Sequence, residues 1–166
     1  LRVRKLGDAS VGACRLYPGM PARTLAAFLD GVSGCVLECY GAGNAPNRDA
    51  DFMKVLRDAC DSGTVIVAVP QPLRGSAALS LYATGRTLLE AGVVSGFDMT
   101  PEAALTKLSY LFACTSDPAE VRHMMQQNLR GELTHDFRGA NNLIDGLSLQ
   151  SKPNEKTANL CVGRLT

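Results

Sequence analysis

The chain has 166 residues, 46% hydrophobic and 20% charged, and its 17 Lys and Arg against 16 Asp and Glu leave a formal net charge of +1. That length and apolar content suit one domain with a real core. Near-cancelling charge, with no basic run on a predicted face, excludes electrostatic capture of nucleic acid or an anionic membrane. No apolar stretch reaches the length of a membrane span and no signal-peptide pattern opens the chain, so it reads as soluble. It opens on Leu1 rather than Met, the mark of a fragment or processed product.

In chain order, residues 11–16 alternate and stop at Tyr17-Pro18-Gly19, a short strand ended by a turn. Pro21 suits the first position of a helix whose stripe is Leu25, Ala26 and Leu29, and Gly31 lies where a left-handed residue closes it. Residues 35–40 read as a strand buried on both faces, with Glu38 as the exception. Gly41 and Gly43 then allow a sharp turn with exposed amides. Helical spacing begins at Asp49, with Phe52, Val55, Leu56 and Ala59 inward and Ser62-Gly63 as the stop. Residues 64–69, TVIVAV, give the strongest strand signal. Strands alternating with helices predict parallel crossover units, and the turn at 41–46 falls beyond the carboxyl end of one strand, where ligands and partners collect.

Pro70, Pro72 and Gly75 predict a loop, residues 77–83 read as strand or irregular coil, and 87–90 as a short helix ended near Gly92. Val93 and Val94 add a brief strand. A helix over 101–112 has Thr100 as cap, Pro101 first, and Leu105, Leu108 and Leu111 inward. Asp117-Pro118-Ala119-Glu120 opens another, with Val121, Met124 and Met125 as its stripe. Beyond Thr134 periodicity fades, and residues 135–166 read as a partly disordered tail.

The catalytic inventory is thin. Cys14, Cys35, Cys39, Cys60, Cys114 and Cys161 form no C-x-x-C pair, and no His stands at ligand spacing, so no metal site is expected. Cys35 and Cys39 share a strand face too far apart for a disulfide, and the cysteines read as small core residues in a reducing compartment. His123 and His135 lack a nucleophile motif and read as surface histidines. Gly41-Ala42-Gly43-Asn44-Ala45-Pro46 fails as a dinucleotide loop, because Pro46 replaces the third glycine and no acid follows to hold a ribose. Asp98 and Glu102 read as helix-capping and dipole charges, and Arg130 and Glu132 as structural charges near a helix end.

Five segments nonetheless stand in a telling order: Leu16-Tyr17-Pro18-Gly19, Tyr40-Gly41-Ala42-Gly43-Asn44-Ala45-Pro46, Tyr82-Ala83-Thr84-Gly85, Ser95-Gly96-Phe97-Asp98-Met99-Thr100 with Glu102-Ala103, and Asn128-Leu129-Arg130-Gly131-Glu132. In these the chain resembles the C-terminal domain of cytosolic, type I L-asparaginases over residues 11–134. The resemblance implies an α/β three-layer sandwich with a small, mostly parallel sheet and crossover helices, a flavodoxin- or Rossmann-like small domain. Residues 1–12 would be an interdomain connection or N-terminal strand, 13–134 the domain and 135–166 the tail.

It also implies a cytoplasmic amidohydrolase that converts L-asparagine and water to L-aspartate and ammonia without metal or organic cofactor, assembled as a homodimer or homotetramer. The family's nucleophilic threonine and its Thr, Lys and Asp constellation belong to an N-terminal domain. Neither motif is present here, so this segment alone is expected to be inactive.

The resemblance places the C-terminal domain against the active site of a neighbouring subunit. Tyr82 would bring its phenol near the neighbour's nucleophile, and Gly43 and Asn44 would form a substrate or interface loop. The bland alternatives are a packing aromatic for Tyr82 and, for Asn44, a turn residue tolerating a left-handed backbone. Bacterial enzymes of this type that asparagine activates allosterically use an Arg and a Thr-x-Cys where this chain has Glu38, Pro70 and Pro72, so no such regulation is expected. A second function class stays open: a detached small-molecule-binding or regulatory α/β module without catalysis.

Overall fold

The structure, a computed structural model, describes residues 6–134 apart from 73, 74, 78 and 80–82. Its elements run β1 (Val11–Arg15), α1 (Ala22–Leu29), β2 (Gly34–Cys39), α2 (Ala50–Asp61), β3 (Val65–Pro70), α3 (Ala83–Glu90), β4 (Val94–Ser95), α4 (Pro101–Phe112) and α5 (Pro118–Met125). The tail assigned to 135–166, with His135 and Cys161, lies outside the described residues.

The helix starts at Thr100 and Asp117 follow the capping chemistry that the sequence announced, and Asp49, where only helical spacing was expected to begin, caps as well. Asp49 Oδ1 accepts from the Phe52 N–H at 3.0 Å, Thr100 Oγ1 from Ala103 at 3.2 Å and Asp117 Oδ1 from Ala119 at 2.9 Å, each satisfying a donor that the first turn leaves over. Pro21 sits one residue earlier than expected. It is extended and precedes the first helical residue, Ala22, while its carbonyl accepts from Thr24 at 2.9 Å.

The larger departure is α3, which begins at Ala83 rather than near Thr87 and takes in Gly85. Glycine inside a helix argues against helix on propensity. Here it is required by close approach, because a Cβ at Gly85 would lie 2.5 Å from Leu79 Cα and run into the Leu79 carbonyl. Among the described residues of 77–83, Ala77 forms an isolated antiparallel bridge to Phe97, donating to its carbonyl at 2.8 Å.

The four strands lie in the order β1-β2-β3-β4, and every pairing is parallel, with Val36 beside Val67 and Leu37 beside Ala68. Right-handed crossovers that always step the same way put their helices on one face. Cys35, Leu37, Cys39, Ile66 and Ala68 accordingly share a core with Leu25 and Leu29 of α1, Phe52 and Leu56 of α2 and Leu88 of α3. Val36, Val65, Val67 and Val69 point the other way, into a core with Leu108 and Leu111 of α4 and Val121 and Met125 of α5. The expected three-layer α/β sandwich is thus formed.

Cys14, Cys35, Cys39 and Cys60 all lie in the first core as buried free thiols. Burial pushes Cys39 up to about 12 and Cys60 to about 11, and raises Cys35 further, so they pack as small apolar groups. Among the described residues no helix is long and apolar enough to cross a membrane.

Gly85→Ala should lower stability by about 1–3 kcal/mol despite alanine's higher helix propensity, because the new methyl meets backbone that cannot yield. Urea unfolding measures this, with the exposed Arg86→Ala on the same helix shifting stability by less than about 0.5 kcal/mol.

Candidate functional site

The carboxyl ends of β1, β2 and β3 deliver three consecutive connections to one edge of the sheet. After β1 the chain turns through 17–20, with Met20 N–H donating to the Tyr17 carbonyl at 3.1 Å, and Tyr17 is 48% exposed. After β2 a tight turn closes between Tyr40 and Asn44. Each donates its N–H to the other's carbonyl at 2.8 Å, and Gly43 N–H adds a bond to the Tyr40 carbonyl at 3.0 Å.

The left-handed positions of this turn belong to Gly41 (φ 47°) and Gly43 (φ 106°). Among the described residues Phe97 is the only non-glycine at positive φ. Asn44 therefore does not hold a left-handed backbone, which removes the structural reason that the sequence offered for an asparagine there. Its side chain stands on the exposed part of the turn.

Gly43 is buried, and a Cβ there would lie 2.9 Å from Leu79 Cδ2 and 3.4 Å from Ala77 Cα. The Asn44 turn thus packs on the segment that leads into α3. Tyr82, carried by the chain between Leu79 and Ala83, lies outside the described residues.

Two residues at this edge escaped the sequence reading. The Tyr40 hydroxyl is buried without a hydrogen-bond partner among the described residues, and burial raises the phenol above its ordinary pKa, with Cys39 and Tyr17 adding to the shift. Gln71, between two prolines that signalled only a loop, donates its N–H to the Cys39 carbonyl at 3.0 Å. Its side-chain amide donates to the carbonyls of Leu16 at 2.7 Å and Glu38 at 2.9 Å. Glu38 itself faces Arg15 Nη1 at 3.5 Å, and the exposed guanidinium makes this a weak pair.

The paired acids separate into two jobs. Glu102 lies in the first turn of α4, its carboxyl held low by its own N–H and by Thr100, which agrees with the capping expectation. Asp98 does something else. Its carboxylate accepts from the Thr134 N–H at 2.9 Å and the Thr134 hydroxyl at 2.5 Å, clasping the end of the described chain rather than capping the helix.

Arg130 and Glu132 border a pocket of about 290 Å³ beneath α4, lined also by Thr106, Lys107, Tyr110 and Leu129. The partner of Glu132 is Lys107, at 2.7 Å, with both side chains largely buried. Lys107 donates as well to the carbonyls of Met125 at 3.0 Å and Gln127. Burial would raise the Glu132 carboxyl, but Lys107 and the N–H groups of Leu129 and Arg130 outweigh it and hold it down to about 2. This cluster ties the 129–132 loop to α4. His123 is exposed beside Gln127, and among the described residues no three His, Cys, Asp or Glu gather as metal ligands.

The architecture is that of a parallel α/β domain whose connections gather at the carboxyl ends of its strands. The Glutaminase/Asparaginase C-terminal domain profile matches residues 10–125; the chain belongs to that family. It is 43% identical over 137 residues to L-asparaginase 1 of Escherichia coli K12, covering 82% of this chain and 40% of that protein. It is also 43% identical over 129 residues to the 60 kDa lysophospholipase of Homo sapiens, covering 76% of this chain and 22% of that one. Among solved structures, L-asparaginase I of Vibrio cholerae superposes with a TM-score of 0.75 at 39% identity, over 80% of this chain and 40% of its own. The chain thus spans at most about two fifths of these relatives' lengths.

A folded-state carboxyl held near 2, against about 4.3 when unfolded, stabilises the fold fully above the unfolded value and loses that contribution as pH falls through the folded one. Stability should therefore decline between about pH 5 and pH 2, by on the order of 2 kcal/mol from this group. Denaturant titrations across that range should show the step, and Glu132→Gln should flatten it while lowering stability at neutral pH.

Proposed function

We propose that this chain is the C-terminal domain of a cytoplasmic L-asparaginase, an amidohydrolase giving L-aspartate and ammonia, and that it completes the active site of a neighbouring subunit in a homodimer or homotetramer. The observation that carries the reading is Asn44. It is exposed at the carboxyl edge, on a turn whose unusual backbone angles are supplied by glycines, so the backbone alone does not call for an asparagine there. The family membership and the L-asparaginases among its relatives supply the substrate class.

In this mechanism the nucleophile and its activating groups come from an N-terminal asparaginase domain. Asn44 offers an amide donor and an acceptor to the substrate or to the loop that holds it. Tyr82 orients or relays a proton near the neighbour's nucleophile through its phenol. No residue of this chain forms or breaks the amide bond, and the chemistry calls for no metal or cofactor.

Supplying an N-terminal asparaginase domain, such as that of the Escherichia coli relative, should produce ammonia release from asparagine, while the 166-residue chain alone should release none. Ammonia from the purified chain alone would overturn this division of labour. In the assembled enzyme, Tyr82→Phe should lower kcat about 10²-fold with assembly intact, and Asn44→Ala should raise KM about tenfold; unaltered kinetics would reject those roles. Calorimetric titration of the assembly should detect no second asparagine bound beside Glu38.

A further inference from the structure

We infer that Gln71 is a positioning residue for the carboxyl-edge surface: its side-chain amide fixes the ends of β1 and β2 from which the Tyr17 and Asn44 turns spring. The inference rests on the proposed function for its kinetic meaning and on the geometry alone for its structural one. Pro70 closes β3 opposite Cys39 but has no N–H to give. Gln71 continues the parallel ladder past it, its main-chain N–H reaching the Cys39 carbonyl at 3.0 Å.

The side chain then folds back across the sheet edge. Both hydrogens of its amide are used, one on the Leu16 carbonyl at 2.7 Å and one on the Glu38 carbonyl at 2.9 Å. The Glu38 carbonyl already accepts from the Leu16 N–H at 3.1 Å, so Gln71 takes its second lone pair. Because both neighbours are carbonyl oxygens, only the NH₂ group can face them, which fixes the orientation of the amide.

One side chain therefore braces the ends of β1, β2 and β3 in addition to the ladder bonds that pair them. Leu16 immediately precedes the exposed Tyr17. Glu38 and Cys39 immediately precede Tyr40, the hinge of the Asn44 turn. Gln71 acts on substrate only through these turns. Neither an apolar residue nor a carboxylate can replace it: leucine has no donor, and glutamate would turn an oxygen towards two oxygens.

Hydrogen–deuterium exchange on the chain tests the geometric part without requiring activity. In Gln71→Leu the amides of Tyr40, Gly43 and Asn44 should exchange about tenfold faster, while those of Val36 and Val67 keep their rates. Gln71→Glu should do at least as much. Unchanged exchange at the turn, or equal acceleration throughout the sheet, would overturn the inference.

In the assembled enzyme, Gln71→Leu should raise KM for asparagine with little change in kcat, and should add nothing in an Asn44→Ala background; an additive effect would likewise overturn it. An unsubstituted assembly that released no ammonia would instead defeat the proposed function, and the exchange result would still decide the role of Gln71.

Discussion

The structure depends on strict alternation in two strands. β2 and β3 are buried on both faces, and each successive side chain must find a different core. Fully burying a Val or Leu side chain contributes about 1.5–3 kcal/mol, so neither face of the central pair can be left wet. Three same-direction crossovers cover only one face. The valine face is covered because the chain, after β4, crosses under the sheet and lays down α4 and α5.

The same topology decides where function can reside. With both faces closed, the ends of the central strands are where their backbone emerges, and the unreversed strand order sets the three connections side by side. A reversal would open a crevice between diverging loops. This sheet has none among its described strands and presents an edge of turns instead. The pocket under α4 belongs to a different part of the molecule, where the Lys107–Glu132 pair braces a loop.

Much of the fold was legible because its signals are local. The strand at TVIVAV, the caps at Thr100 and Asp117 and the stripe of α5 each follow from a few neighbouring residues. What was not legible depends on distant chain. Gly85 disguised the first half of α3, since the backbone of Leu79 that demands it is invisible to helix periodicity. Asp98 looked like a capping acid until Thr134 stood beside it, 36 residues on. Lys107 gave no hint of burial, because the acid that makes burial tolerable lies in the 129–132 loop. At the candidate site, Gly43 and Asn44 could be singled out from their motif, but that glycines carry the strain and asparagine does not required the backbone angles. Gln71 could not be read at all, as its partners are 33 and 55 positions away.

Because consecutive crossovers feed neighbouring strands, the turns that follow β1, β2 and β3 at the carboxyl edge come from one uninterrupted stretch of about seventy residues, from the end of β1 to the start of α3. Such a stretch behaves as a cassette. A genetic exchange with two breakpoints would transplant these three turns in register, while the α4–α5 clamp stayed behind to receive any insert that kept valines at the alternate positions of its central strands.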